Sequence, residues 1–413
     1  MKKAMNKKLA GAISSVLLAA ALSGCFPKTD TGKGSVGGSD DLSNQVGQNA
    51  GVINGGEGDG QVIQGTPPDP SDFPSSIRDD SVPNVDVRAS IHMPEGVSYL
   101  SAISTSDAVL HVWNQDEILT SIANGRPVKS DETFENSGPD DLARMCVLED
   151  DSDIVFYTDS VNYYTPQEKE VDYASYFDSF GMYTAPESLD KEFGNADIEG
   201  LSKEDAIQSA EEILDVLQIR DRVGDPKIVS MDHDSINTLI ELEQTIDRNG
   251  EPVSMRTEED DAYALIYPVL YQGLVSQGFW GSGENSILSS AKVYFVYGRT
   301  GLVAFHISGI CDITSQGQLS YIYAPTKIVK SIQDEYAEII SMETLCLNQL
   351  RLTYVLRQDA EGSTNAVMEP VWLVIGKKIT TSEDEEKGTI NSPLCMMFSA
   401  TTGEQIPLDY FGV

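Results

Sequence analysis

Basic residues, histidine and closely spaced cysteines are what this chain has least of, and each shortage removes a class of activity. Lysine and arginine total 28 against 65 aspartate and glutamate, a formal charge of -37. A polyanion of this kind is repelled by phosphate backbones, so nucleic acid and anionic lipid headgroups are excluded as partners. The acidity leaves open a cationic ligand, a basic patch on another protein, divalent cations, or plain solubility. Only four histidines occur, His92, His111, His233 and His306. None forms an H-E-x-x-H or an i, i+4 pair, which removes zincin-type hydrolysis. The five cysteines contain no C-x-x-C, so zinc has no coordination pattern and no metal site is expected. There is no G-x-S-x-G elbow. Ser289-Ser290-Ala291-Lys292 satisfies S-x-x-K, but the S-D-N and K-T-G segments that would complete a penicillin-recognising site are missing. No catalytic residue and no cofactor are assigned.

Long apolar runs are absent too, with one exception. Lys2, Lys3, Lys7 and Lys8 precede an uncharged stretch from Leu9 to Leu22, too short to span a bilayer comfortably and laid out as a secretory signal. Leu22-Ser23-Gly24-Cys25 ends it and resembles the lipobox of bacterial lipoproteins. That resemblance implies cleavage before Cys25, diacylation of its sulfur, and a mature chain held by membrane lipid on the outer face of the cell membrane. Two acyl chains suffice for stable anchoring where one does not. Residues 1–24 are thus read as signal peptide. Residues 25–85, rich in Gly, Ser, Asp and Pro, are read as a tether of roughly 60 residues with a random-coil reach of about 45 Å.

The remaining chain, about 330 residues, is long enough for two or three domains. Residues 86–196 are expected to form an N-terminal α+β domain. It contains a strand at Val85–Ile91, a helix opened by Asn114 and Glu117, and a hairpin pairing Met145–Leu148 with Ile154–Tyr157 across an acidic turn at 149–153. Tyr163, Tyr164, Tyr173, Tyr176, Phe177 and Tyr183 crowd the following stretch, either to stack on sugars or grip a peptide, or to pack a core.

Beyond this, one order occurs twice. Ser202 and Asp205 form a capping pair before Ile207, Ala210, Leu214 and Leu217 on one helical face. Strands are expected at 235–245, 263–274 and 291–307, with turns at Asp247-Arg248-Asn249-Gly250 and Gly281-Ser282-Gly283. A second helix starts at Pro325 and carries Ile328, Val329, Ile332 and Tyr336, followed by strands at 345–357, 367–375 and 394–399. Pro268-Val269 matches Pro370-Val371, and Thr300-Gly301 matches Thr402-Gly403, at the same offset. The expectation is a duplicated α+β unit, antiparallel sheets each packed with a helix, over 197–322 and 323–413.

Ser202-Lys203-Glu204-Asp205-Ala206, Glu369-Pro370-Val371-Trp372 and Ala400-Thr401-Thr402-Gly403-Glu404 are similar to PepSY-type units. They also resemble the extracytoplasmic regulators YycH and YycI, and a group of clostridial lipoproteins from a domain-of-unknown-function family. The resemblance implies a non-catalytic module that binds or restrains an envelope protein or peptide. The lipid anchor departs from YycH and YycI, which are held by a transmembrane helix.

Tyr263, Tyr267 and Tyr271 share one face if their segment is a strand. With Trp280 and Trp372 they are the candidate ligand-contacting surface, the competing reading being cross-strand packing. Cys146, Cys311, Cys346 and Cys395 permit two disulfides in an oxidising exterior, or four buried thiols. Acidic pairs such as Asp150 with Asp151 and Glu385 with Glu386 admit a carboxylate dyad for surface glycan hydrolysis, against solvated charge. A binding or regulatory lipoprotein is the leading expectation, with a glycan hydrolase and a passive spacer or colonisation protein as alternatives.

Overall fold

A computed structural model describes residues 63–138, 141–177, 189, 193–243, 253–271, 273–276, 281–283, 286–289, 291–339, 343–358, 363–381 and 389–406. A 3-10 turn at Pro70–Asp72 precedes strands β1 (Ser76–Val82), β2 (Val85–His92), β3 (Ala102–Ile103) and β4 (Ser106–Leu110). Helix α1 (Gln115–Ala123) leads to β5 (Val128–Gly138), β6 (Asp141–Leu148), β7 (Asp153–Phe156) and β8 (Ser160–Tyr164), then to α2 (Pro166–Val171) and α3 (Tyr173–Phe177). Next come α4 (Lys203–Val216), β9 (Lys227–Met231), α5 (His233–Glu243), β10 (Ala262–Tyr267), β11 (Leu270–Tyr271), β12 (Leu274–Val275), β13 (Gly281–Gly283) and β14 (Ser286–Ser289). The chain continues through β15 (Lys292–Gly298), β16 (Gly301–Ser308), β17 (Cys311–Gln316), β18 (Ser320–Tyr321), α6 (Pro325–Ala337), β19 (Glu343–Gln358), β20 (Asn365–Thr381), β21 (Thr389–Ser399) and β22 (Gln405–Ile406).

Two large sheets organise these elements, and the α+β class stands. The first runs β5-β6-β7-β8-β16-β15-β10-β9, every neighbouring pair antiparallel. One face carries a core of Tyr163, Leu265, Phe295 and Phe305 beneath α1 and α4; the other packs Val229, Tyr294 and Val303 against residues of α2, α3 and α5. The second sheet runs β1-β2-β19-β20-β21-β22, with β4, β13, β14 and β17 attached. Only its β2–β19 pair is parallel among the described pairings. α6 covers it, burying Ile328, Val329 and Ile332 against Leu347, Leu352 and Trp372.

The helices form where capping and period agree. Ser202 accepts from the Asp205 amide (3.1 Å) at the start of α4, and Ala206, Ala210 and Leu214 repeat every four residues on its buried face. Pro325 occupies the first turn of α6, where its missing N–H costs nothing.

Several expectations need correction. Of the segment 235–245, expected as a strand, residues 235–243 belong to helix α5: the Asp232 carboxylate accepts from the Ser235 amide (2.9 Å), and Ile236 and Ile240 sit one turn apart in the core. Strand β9 takes the vacated place and was not foreseen. The run 291–307 folds back on itself at Arg299-Thr300 into β15 and β16, with Gly301 at a φ of 101°. The segment 263–274 is likewise interrupted, because Pro268 follows the last residue of β10 and cannot donate to a ladder. Gly281-Ser282-Gly283 is not a free turn but β13, paired with β14. The turn expected at Asp247-Arg248-Asn249-Gly250 lies outside the described residues.

The expected domain boundaries do not coincide with the sheets. The tether was drawn to residue 85, yet Gln64 already bridges Ser320, and Phe73, Ile77 and Val82 pack on the second sheet. The segment 86–196 is divided: β2 and β4 join the second sheet, and β5 to β8 complete the first. A cut at 322 fares no better, since β14 pairs with β19 and β4 with β20. Backbone pairing between distant segments decides membership here.

Cys146, Cys311 and Cys346 are free thiols, so the two-disulfide alternative is not realised. Cys346 pairs with Lys377 and Cys395 with Ile375, which places β20 between them. Two strand spacings make about 10 Å, beyond disulfide reach. Burial pushes the Cys146 thiol up to about 11 and that of Cys311 up to about 12, leaving both protonated and unreactive at neutral pH.

A groove between two helices and a strand turn

A concavity lies where α4, the last turn of α1 and the β15–β16 turn meet. Its volume is about 570 Å³, and polar and apolar groups share its wall. α4 presents Asp205, Ser209, Glu212, Ile213 and Val216; α1 presents Ser121, Ile122 and Asn124; the strands supply Tyr263, Tyr297 and Leu302. Asp205, Ser209 and Glu212 are spaced four and three residues apart, which places them on one helical face.

The turn that forms the rim is fixed by one cation. Arg299 donates through Nε to the Glu258 carbonyl (2.6 Å), through Nη1 to the Glu199 carbonyl (2.9 Å) and through Nη2 to Asp261 (3.1 Å). Gly200 makes room for it, since a Cβ there would lie 2.9 Å from Nη1. Asp261, nearly buried, also accepts from the His233 amide (2.8 Å) and faces His233 Nδ1 (2.9 Å). This ties the start of α5 to the same rim. The hydrogen bond that Asp261 accepts from the His233 ring raises the His233 pKa above its ordinary value. Because the folded value is the higher one, this pair contributes stability that is complete below the unfolded imidazole pKa of about 6.5 and is lost as pH rises through the folded value. His233 is therefore expected to titrate above about 6.5 by NMR and to drop toward or below that value in Asp261→Asn. Titration of the native residue below it would refute the assignment.

The groove floor contains two tyrosines in different states. The Tyr263 hydroxyl accepts from the Ile198 amide (2.6 Å), and Lys203 lies 5.6 Å above its ring. Tyr297 is 6% exposed, and its hydroxyl has no hydrogen-bond partner. Burial pushes this phenol well above its ordinary pKa, with Ser209 beside it acting the other way but outside hydrogen-bonding geometry.

Of the five residues expected to form a ligand surface, the four described ones are buried and fall in three separate clusters. Tyr263 reaches the groove floor; Tyr267 is buried in the same core against Phe295, ring centroids 5.7 Å apart. Tyr271 is displaced by the break after Pro268 into another cluster, edge-on to Tyr354 at 4.7 Å. Trp372 is fully buried and donates to the Tyr323 carbonyl (2.7 Å). Trp280 lies outside the described residues. Tyr263 and Tyr267 are buried in the core that α1 and α4 share, and Trp372 in the core that α6 covers. Tyr163 and Tyr173 are likewise core residues.

The other candidate chemistry does not converge. Asp150 pairs with Arg126 (2.7 Å) and Asp151 with Lys129 in the β6–β7 turn. Glu385 and Glu386 lie outside the described residues. His111 faces Asp312 (3.2 Å) and His92 faces Ser90 (2.8 Å). His306 is half-buried, stacked on Tyr294 at 5.5 Å, and pushed down to about 3 by desolvation. Among the described residues no group of three or more His, Cys, Asp or Glu is placed to hold a metal, and no helix is long and apolar enough to cross a membrane. Asp205, Ser209 and Glu212 passed unnoticed as groove residues because a polar helical face has no ordinary reading beyond solvation. Tyr297 carried no signal at all.

Fold and groove together define a mixed α+β protein, two interlocked and mostly antiparallel sheets with an open, acidic depression at one end of a helix. No family model matches the chain, and no curated protein matches it. It is similar in fold to an uncharacterized protein from Eubacterium rectale ATCC 33656, with a TM-score of 0.57 and 15% identity over 81% of this chain and 94% of that one. At that identity the likeness concerns the fold alone.

Proposed function

We propose that this protein is a lipid-anchored binding or regulatory lipoprotein on the outer face of a bacterial cell membrane, one that holds an envelope protein or peptide without doing chemistry on it. The binding part of this reading is carried by the groove between α4, α1 and the β15–β16 turn, whose floor includes a buried hydroxyl with no partner. A buried polar group without a bond is costly, and a ligand that supplies one recovers that cost on binding. The anchoring part rests on Leu22-Ser23-Gly24-Cys25 at the end of the apolar run.

The repeated unit belongs to the same proposal. α4 followed by β9, β10, β15 and β16 corresponds to α6 followed by β19, β20, β21 and β22, each set an antiparallel meander. Thr300-Gly301 and Thr402-Gly403 occupy the turn before the last strand of each, with Gly301 and Gly403 at positive φ. These correspondences support two related PepSY-like units, the first bearing insertions that pair with the second sheet.

Both parts are testable on the native protein. Mass spectrometry of the mature N-terminal peptide is expected to show cleavage after Gly24 and a diacylated Cys25; an unmodified sulfur on a retained leader overturns the anchor. A photo-crosslinking residue at Ser209 is expected to give a discrete adduct in native membranes, and one at exposed Glu335 on α6 none. Equal adducts from the two positions, or none from Ser209, would remove the groove as the binding site.

A further inference from the structure

The geometry points to an arginine side chain, carried on a peptide segment, as what the groove between α4 and the β15–β16 turn receives, its guanidinium lying among Asp205, Ser209, Glu212 and Tyr297. This deepens the binding reading above and rests on it. The first observation is an unmatched charge. The cations around the groove are engaged elsewhere: Lys203 with Asp197 (2.7 Å), Arg220 with Glu211 (2.6 Å) and Arg299 with Asp261 (3.1 Å). Glu212 accepts from the Gln208 amide (3.1 Å), and among the described residues no ion pair engages Asp205 or Glu212.

The second observation is independent of the charge. Tyr297, 94% buried by its 6% exposure, lines the groove with a hydroxyl oxygen that has no partner. An oxygen in that position wants a donor from the ligand.

The two together select the ligand chemistry. Acceptors dominate: two carboxylates about 10 Å apart along the helix axis, with Ser209 between them and the phenol below. A guanidinium offers five donors in a planar fork and stays charged, whereas an ammonium offers three from a point and is more strongly hydrated. The apolar wall of Ile213, Val216 and Leu302 suits the methylene stem of the same side chain. A volume of about 570 Å³ holds that side chain with its flanking backbone. The surplus of acidic residues over the whole molecule draws such a ligand in.

The test titrates the full chain by calorimetry with a blocked Gly-Arg-Gly peptide, its citrulline counterpart, spermidine and the neutral sugar chitotriose. The arginine peptide is expected to bind saturably, at least tenfold more tightly than the citrulline peptide and more tightly than spermidine, and to weaken with salt. Asp205→Asn with Glu212→Gln is expected to cost at least tenfold in affinity, and Tyr297→Phe several-fold. Tyr297→Phe removes a hydroxyl that bonds nothing in the free protein, so its melting temperature should be unchanged or higher, which separates a ligand contact from a structural one. Equal binding of the citrulline peptide, tighter binding of spermidine, displacement of the arginine peptide by chitotriose, or indifference to both sets of variants overturns the inference. Failure of the arginine peptide beside a discrete Ser209 adduct sinks this inference alone; failure of both sinks the binding reading as well.

Discussion

Trp372→Ala is expected to lower the stability of the protein by about 3–5 kcal/mol, the range for deleting a buried aromatic side chain. Trp372 has 0% exposure in the middle of the second sheet, opposite Leu352 on β19 and Phe398 on β21. Its ring packs in the core that α6 covers, and its Nε1 donates to the Tyr323 carbonyl (2.7 Å). Truncation loses the packing and leaves that carbonyl without its donor, two costs of different origin. Trp372→Phe keeps much of the first and loses the second, so it should fall between wild type and alanine. The check is chemical denaturation at pH 7, with a lower midpoint and an unchanged slope. A loss under about 1 kcal/mol for the alanine variant would mean that this core is not closed as described.

Glu168→Gln should have an effect of similar size and opposite sign, one that grows from about pH 4.5 to about pH 8. Glu168 sits in the first turn of α2 with 4% exposure; one carboxyl oxygen accepts from the Ala174 amide (3.3 Å), and the other has no partner. Burial is the main cause that pushes its pKa from 4.5 up to about 8, with Asp172 adding to it. Since the folded state binds the proton more tightly than the unfolded one, the contribution of this group is complete below about 4.5 and is lost as pH rises through about 8. At about 1.36 kcal/mol per unit, the span is on the order of 5 kcal/mol. Glutamine keeps an acceptor for Ala174 and has no charge to bury. The variant should match wild type near pH 4.5, exceed it increasingly up to about pH 8 and keep a constant advantage beyond, in denaturation curves recorded from about pH 4.5 to about pH 9. Parallel profiles for the two proteins would show that Glu168 is not buried as an acid.

How much was legible follows the range of the interaction. α4 and α6 were read nearly to the residue, because Ser202, Pro325 and an apolar repeat are all local features. The β6–β7 hairpin was equally plain, its acidic turn being too charged to bury. α5 was misread because Ile236, Leu239 and Ile240 alone look as much like a strand as a helix; Asp232 as a cap was the signal that would have settled it. β15 and β16 were merged because both are almost wholly apolar, a pattern that hides a turn when each strand is covered on two faces.

The aromatic residues show the same limit at the level of the site. Tyr263 and Tyr267 do share a face, as alternation requires, but alternation does not say whether that face meets solvent or a helix. α4 lies over it, and the exposed ligand surface expected there becomes a core with one tyrosine reaching the groove.

By itself the sequence determined the acidic balance, the basic-then-apolar run of residues before Cys25, the absence of recognisable catalytic spacing, and the helices whose caps and repeats lie within one turn of each other. Only the tertiary structure decided which strands share a sheet, that β2, β4, β14 and β17 tie distant segments into the second sheet, and that Asp205, Glu212 and Tyr297 face one depression. The reason is physical. Capping and periodicity act between residues a few positions apart, whereas sheet pairing and a groove depend on backbone hydrogen bonds and buried surface between segments that no local pattern relates.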